Sequence, residues 1–268
     1  MLKIIKDLLF GALFSIRSDM KKYLESCLAN NISSVERKIV ELYLVNQEHA
    51  RVFKTPMCQD TGLVTIFLAS DVARNLNLPL LKTQLMDYMK DLNMRNSQIK
   101  SPLEHINLGE NQIPFIKIID RWQGKVGVQV SGAGSELQGF MLTFNGSASE
   151  EDIRDRLVSE ILIRFPKSCP PVTIGIGMGG TMADAVMLSK LALFRKIGEL
   201  NESHKVALLE NDVLSSLWER SNRGAQGIIE GKCGIAHVAI ETEISHIAGF
   251  HTVVSFQCYL TRSWSTNV

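Results

Sequence analysis

The sequence predicts a mixed α/β fold, built as one continuous unit with helices at its N-terminus and β-strands leading to its main candidate residues. Three observations predict it. Apolar residues recur at helical spacing through the first fifty-odd positions, short β-rich runs bounded by turn residues follow from Leu63, and glycine-rich loops separate several of these runs from helical stretches. No repeat, low-complexity tract or linker interrupts the 268 residues, so the organisation reads as a single span 1–268 with a helical part over about 1–55.

Leu8, Leu9, Leu13 and Ile16 mark a first helix. Val35, Ile39, Val40, Leu42, Tyr43 and Val45 mark another, after Ser33 and Ser34 as N-caps, and Pro56 stops it. Leu63 to Leu68 is a buried strand, and a helix spans about Leu78 to Leu92. Phe115 to Asp120 and Lys125 to Val130 read as a hairpin around Trp122-Gln123-Gly124. It ends in the small-residue loop Ser131 to Ser135, which has the freedom to approach a ligand closely. Helix returns over Glu150 to Phe165, then a strand over Val172 to Ile176, a glycine loop Gly177 to Gly180 and a helix over about Met182 to Lys196. The last third adds a helix near Asn211 to Asn222, the glycine-broken stretch Gly224 to Gly234, and strands around His237 to Ile240 and Thr252 to Phe256.

Composition narrows the function classes. With 29 Lys+Arg against 28 Asp+Glu the net charge is +1, and the charges are interspersed, which excludes a binder held to nucleic acid by phosphate contacts. A 45% hydrophobic fraction with 21% charged residues excludes a disordered chain. Five cysteines are an odd number in a chain long enough to fold without staples, so a disulfide scaffold is not expected and a reducing, cytoplasmic setting is. Lys3 and Lys6 before the apolar run Leu8 to Ile16 imitate a signal peptide, but Asp7 interrupts the run, Arg17 and Asp19 close it, and no small-x-small cleavage site follows.

Four groups of residues carry candidate chemistry. Gly175-Ile176-Gly177-Met178-Gly179-Gly180 satisfies the dinucleotide pattern between a strand and a helix, but Glu199 falls in a polar turn instead of at a strand end, where it would hold a ribose. What survives is a glycine-rich helix start suited to an anion. No cysteines form a C-x-x-C pair. Cys58, Cys169 and Cys258 sit at chain irregularities that can aim a thiolate into a cavity, whereas Cys27 reads as a small buried hydrophobe and Cys233 as ordinary loop chemistry, with a reactive thiol as its alternative. His246 and His251 flank a glycine near Cys258, so a functional role stands beside a packing role. Gln59 and Asp60 place an amide and a carboxylate in one turn, which suits proton transfer or, more simply, a turn's own backbone bonds.

Taken together, Thr55-Pro56-Met57-Cys58-Gln59-Asp60-Thr61-Gly62, then Ser168-Cys169-Pro170-Pro171 with Gly179-Gly180-Thr181 after it, then His246 twelve residues before Cys258 in Phe256-Gln257-Cys258, resemble the iron–sulfur hydro-lyases. These are the class I fumarases and L(+)-tartrate dehydratases, and the likeness is to the α-subunit or N-terminal part, from about Val35 to Arg262. The resemblance implies a [4Fe–4S] cluster held by three thiolates, Cys58, Cys169 and Cys258, with one iron open as a Lewis acid. It implies that Asp60 is the catalytic aspartate, that Gln59 contacts substrate, and that Arg95 clamps a substrate carboxylate. The loop Gly132 to Glu136, with Gly132 and Gly134, corresponds to a glycine-serine-glutamate loop beside the substrate. The implied reaction is reversible hydration of a C4 dicarboxylate, fumarate and malate first and L(+)-tartrate as the alternative.

The chain departs from the family pattern at Ser131, Leu137, Gly249, His251 and Ser255, and at Cys233-Gly234 where a threonine pair is usual. A non-catalytic relative that keeps the cluster is therefore a further reading, and a nucleotide-binding module on Gly175 to Gly180 a third. The family also takes part of its active site from a second domain or a separate β-subunit, so a β-subunit partner is expected.

Overall fold

The computed structural model describes residues 1–30, 32–221, 229 and 231–268. The helices are α1 (Leu2–Phe14), α2 (Ser18–Ala29), α3 (Ser34–Phe53), α4 (Ser70–Ala73), α5 (Leu78–Lys90), α6 (Ala133–Glu136), α7 (Glu150–Arg164), α8 (Met182–Ala192), α9 (His204–Arg220) and α10 (Gly231–Gly234). The strands are β1 (Leu63–Ala69), β2 (Phe115–Ile119), β3 (Lys125–Ser131), β4 (Phe140–Asn145), β5 (Val172–Met178), β6 (Ile235–Thr242), β7 (Gly249–Gln257) and β8 (Ser263–Asn267). The mixed α/β class is as expected. The described residues gather into two compact units, each assembled from separated stretches: Met1–Arg17, Glu41–Ala133 and Leu260–Val268 in the first, Ser18–Val40 and Gly134–Tyr259 in the second.

The first unit is a four-stranded sheet in the order β2-β1-β3-β8. On one face, alternate residues pair across the two central strands, Val64 with Val130, Ile66 with Val128 and Leu68 with Val126, and all six join Leu9, Leu13 and Phe14 of α1 and Leu85 of α5 in one core. Helix α1 approaches so closely that a Cβ on Gly11 would stand 2.9 Å from the Trp264 ring. The expected hairpin is not formed. β2 pairs in parallel with β1, and β3 pairs antiparallel with β1 on its other side, so β1 lies between them. The reason is burial: β1 is buried at five of its seven positions and takes the centre, while β2 is largely exposed and takes an edge.

The second unit is a sheet in the order β4-β7-β5-β6, in which β5 is buried along its whole length. Ile174 and Ile176 face the core shared with Leu157 and Ile161 of α7 and Val213 and Leu217 of α9. Gly175 and Gly177 face the other way, against α8, where a Cβ on either would collide with the helix backbone at Ser189 and Ala185. Between layers, Glu210 is 1% exposed and accepts from Arg195 Nη1 at 2.6 Å, Arg195 Nη2 at 3.0 Å and the backbone N–H groups of Ile240 (2.7 Å) and Asn201 (2.9 Å). Four bonds satisfy a carboxylate that burial would otherwise penalise heavily.

Helix starts follow side-chain capping. Ser33 and Glu36 exchange hydrogen bonds across the first turn of α3, Ser149 and Asp152 do so at α7, and Thr181 and Asp184 at α8. The helix expected near Asn211 begins earlier, at His204. Helix α3 forms where the spacing predicts it, but Val35, Leu42 and Val45 stay exposed, while Val40, Gln47 and Ala50 are buried. No described helix is long and apolar enough to cross a membrane.

Candidate functional site

The turn between α3 and β1 is organised around Asp60. Its Oδ1 accepts from the Gly62 N–H at 3.0 Å, closing an Asx turn, and its Oδ2 accepts from the Ala133 N–H at 2.7 Å. The second bond follows from the sheet register, because Leu63 pairs with Ser131 and so sets the chain after β3 beside the chain before β1. The Asp60 carbonyl accepts from Arg262 Nη1 at 2.8 Å, and Arg262 is only 4% exposed. Two glycines make this approach possible. Gly62 holds φ +69, and a Cβ there would lie 2.6 Å from the Ser131 carbonyl. A Cβ on Gly132 would collide with Arg262 Nη2 and stand 3.0 Å from Asp60 Oδ2.

Thr61 extends the network to Arg95. The Arg95 N–H donates to Thr61 Oγ1 at 2.9 Å, the Thr61 hydroxyl points back to the Arg95 carbonyl at 3.4 Å, and Gln112 Nε2 donates to the same carbonyl at 2.6 Å. The Arg95 backbone is thus fixed while its side chain is exposed, and its neighbours Met94 and Asn96 line a surface recess with Met89, Asn93 and Gln112. Gln59 is exposed and Cys58 half-buried in the same turn. The first unit therefore collects Cys58, Gln59, Asp60, Arg95 and Gly132.

Cys169, Cys258 and Gly134 belong to the second unit. Thr173 of β5 pairs with Gln257 of β7, so Cys258, one residue past β7, and Cys169, three residues before β5, leave the same end of the sheet. The Ser168 hydroxyl beside Cys169 is buried without a hydrogen-bond partner among the described residues. Glu136 is held by Lys190, whose Nζ reaches both carboxylate oxygens at 2.7 and 2.6 Å. Gly134 is exposed, with open space where a Cβ would be, so packing does not demand glycine there.

Among the described residues no group of three or more His, Cys, Asp or Glu side chains is gathered as a metal ion would require. The donor chemistry nevertheless fits iron. Cys58 and Cys258 are half-buried and Cys169 exposed, all three lie outside helices and strands, and Cys27 and Cys233 are buried.

Two other candidates resolve into helix packing and local hydrogen bonds. Gly175 and Gly177 lie inside β5, where they admit α8, and the Glu199 carboxylate accepts from the Lys196 N–H at 3.1 Å within its own turn, so the dinucleotide arrangement is not built. His246 Nδ1 accepts from the Ala248 N–H at 3.0 Å, and His251 sits on β7 opposite Thr143. Strand β7 carries His251 seven residues from Cys258, roughly 23 Å at an extended rise, so the two are not neighbours. Of the altered stretch Gly224 to Gly234, residues 222–228 and 230 lie outside the described residues. Ser255 is absorbed by a 2.9 Å hydroxyl contact with Ser189.

Arg262 and Thr61 are the residues that sequence reasoning passed over. The available signal was a single arginine set in the otherwise apolar or small run Tyr259 to Ser263, a place where charge needs a partner.

The chain is similar to known proteins over nearly its whole length. The family model described as fumarate hydratase (Fumerase) matches residues 2–267. The putative L(+)-tartrate dehydratase subunit alpha of Methanocaldococcus jannaschii is 27% identical over 280 residues, covering 97% of this chain and 94% of the relative. The L(+)-tartrate dehydratase subunit alpha of Escherichia coli K12 is 27% identical over 269 residues, covering 94% of this chain and 86% of the relative.

Proposed function

This chain belongs to the fumarate hydratase (Fumerase) family, and from that membership we propose that it is the α-type chain of an iron–sulfur hydro-lyase acting on a C4 dicarboxylate. The observation that carries the reading is the Asp60 turn. One carboxylate is locked by the Gly62 and Ala133 N–H groups, sits two residues after Cys58, and is tied through Thr61 to Arg95.

In this reading Cys58, Cys169 and Cys258 hold a [4Fe–4S] cluster. When bound, the cluster supplies Lewis acidity at its one iron without a thiolate, which lowers the cost of separating hydroxide from carbon. Asp60 moves the proton at the neighbouring carbon, a task that needs the carboxylate held still against the substrate. Arg95 presents a two-pronged guanidinium to one substrate carboxylate from a fixed backbone. Gln59 supplies an amide donor and acceptor to the same substrate, and the loop with Gly132 and Gly134 lets backbone N–H groups come close to it. A β-type partner completes the site.

Fumarate and malate are the first substrate pair. L(+)-tartrate is the second reading, favoured by the names of the relatives. The test is an anaerobic assay of the cluster-loaded chain with fumarate, malate and tartrate, alone and with a candidate β-type chain. The expected result is turnover of one diacid only with the partner present. Substantial activity of the chain alone would contradict the partner requirement, and inactivity with all three diacids in the complex would contradict the hydro-lyase reading.

A further inference from the structure

The two cysteines that the cluster does not use are not isolated from each other. Cys27 lies in the last turn of α2 and Cys233 in α10, two residues before β6, and both are in the second unit. Tyr23 stands one helical turn before Cys27, on the same face of α2. Its hydroxyl donates to the Lys232 carbonyl and lies 3.1 Å from that of Ile235, carbonyls on either side of Cys233. This contact pins α2 to α10, with Cys27 one turn further along the same face of α2. Both cysteines are buried, only 2% and 4% exposed.

We propose that Cys27 and Cys233 form a peroxide-sensitive dithiol, with Cys233 as the attacking sulfur and Cys27 as the resolving one. Two buried cysteines on packed elements, clamped by one tyrosine, differ from two separate buried hydrophobes in that each thiol bears on the protonation of the other. The roles are asymmetric. The Cys27 thiol donates to Cys233, which holds Cys233 below the usual thiol range, whereas the same bond and burial push Cys27 up. The carboxylate of Glu36 also raises both, a lesser influence than the thiol contact.

The oxidant is hydrogen peroxide, a molecule little larger than water. The Cys233 thiolate attacks one peroxide oxygen, the O–O bond breaks, and hydroxide leaves and takes up the thiol's proton as water, giving Cys233 sulfenic acid. The Cys27 sulfur then displaces the sulfenic oxygen, which departs as a second water with the Cys27 proton, leaving the disulfide. In sum, two thiols and one peroxide give one disulfide and two waters. The bond ties α2 to the segment leading into β6, and a thiol reductant reverses it.

The test treats the folded full chain with hydrogen peroxide and maps its peptides without reduction. The expected result is a Cys27–Cys233 cross-linked peptide, lighter by two hydrogens than the separate peptides and lost on reduction, in a chain whose circular dichroism is unchanged. In Cys27→Ser, dimedone should label Cys233; in Cys233→Ser, it should leave Cys27 unlabelled. Pairing of either cysteine with Cys58, Cys169 or Cys258, absence of the cross-link in the folded chain, or dimedone on Cys27 would overturn the proposal. The wild-type map decides the matter by itself if a variant does not fold.

Discussion

Arg262 donates from Nη1 to the backbone carbonyl of Asp60 at 2.8 Å, so a residue just after the third candidate ligand in the chain fixes the turn that carries the first. The bond spans 202 positions of sequence and is made by a side chain removed from water. A charged donor in that setting is stronger than a neutral one and costly to remove.

Arg262→Lys keeps the charge but loses the planar fork. The chain should lose about 1–3 kcal/mol of stability, read as a lower urea midpoint, because the part-buried Asp60 carbonyl loses its donor and the buried side chain its bond. In the cluster-loaded complex kcat should fall by about tenfold or more with little change in KM, since the residue positions Asp60 and is not proposed to touch substrate.

The two loop glycines should separate cleanly. Gly132→Ala puts a methyl group against Arg262 Nη2 and 3.0 Å from Asp60 Oδ2, and should cost about 1–3 kcal/mol and most of the turnover. Gly134→Ala meets open space and should leave thermal stability within about 0.5 kcal/mol of the parent. Equal effects from the two substitutions would contradict the packing described for Gly132.

Gly177→Ala drives a methyl group into the α8 backbone at Ala185 and should destabilise the chain by about 1–3 kcal/mol or more, measured by denaturant melting. Calorimetric titration of the parent chain with NAD should show no binding, because these glycines serve helix packing and not a phosphate.

Acid should weaken the capped helices in a defined window. Hydrogen bonds from Ser149 to Asp152 and from Thr181 to Asp184, first from the side chain and then from the backbone, hold both carboxyls below their ordinary value of 3.8. A folded-state value below the unfolded one gives stability that is complete above the unfolded value and is lost as pH falls through the folded one. The melting-temperature gap between parent and Asp184→Ala should therefore be constant above about pH 5 and shrink below about 3.8.

How much of this was legible in the sequence depended on whether the signal was local. β1 and β5 were visible as β-rich runs between turn residues, and α7 as a return to helix over Glu150 to Phe165, because each depends on residues adjacent in the chain. The pairing of β2 and β3 was not visible, since which strand lies between them is decided by burial across the whole sheet. β4 and β8 carry too few buried positions to stand out. The two units left no linker because they interleave: Leu260–Val268 joins the first unit at the far end of the chain. At the candidate site, Asp60, Arg95 and Gly132 were named through their motifs, whereas the contacts of Arg262 and Thr61 form only after folding.

The central claim is that the cysteines divide three and two, with Cys58, Cys169 and Cys258 assigned to a cluster. The most direct measurement is anaerobic reconstitution with iron and sulfide, followed by the thiolate-to-iron absorption band, on the parent chain and its five single Cys→Ser variants. Loss of the band in Cys58→Ser, Cys169→Ser and Cys258→Ser, with retention in Cys27→Ser and Cys233→Ser, is the predicted result. A band that survives substitution of any of the first three, or that depends on Cys27 or Cys233, would contradict it.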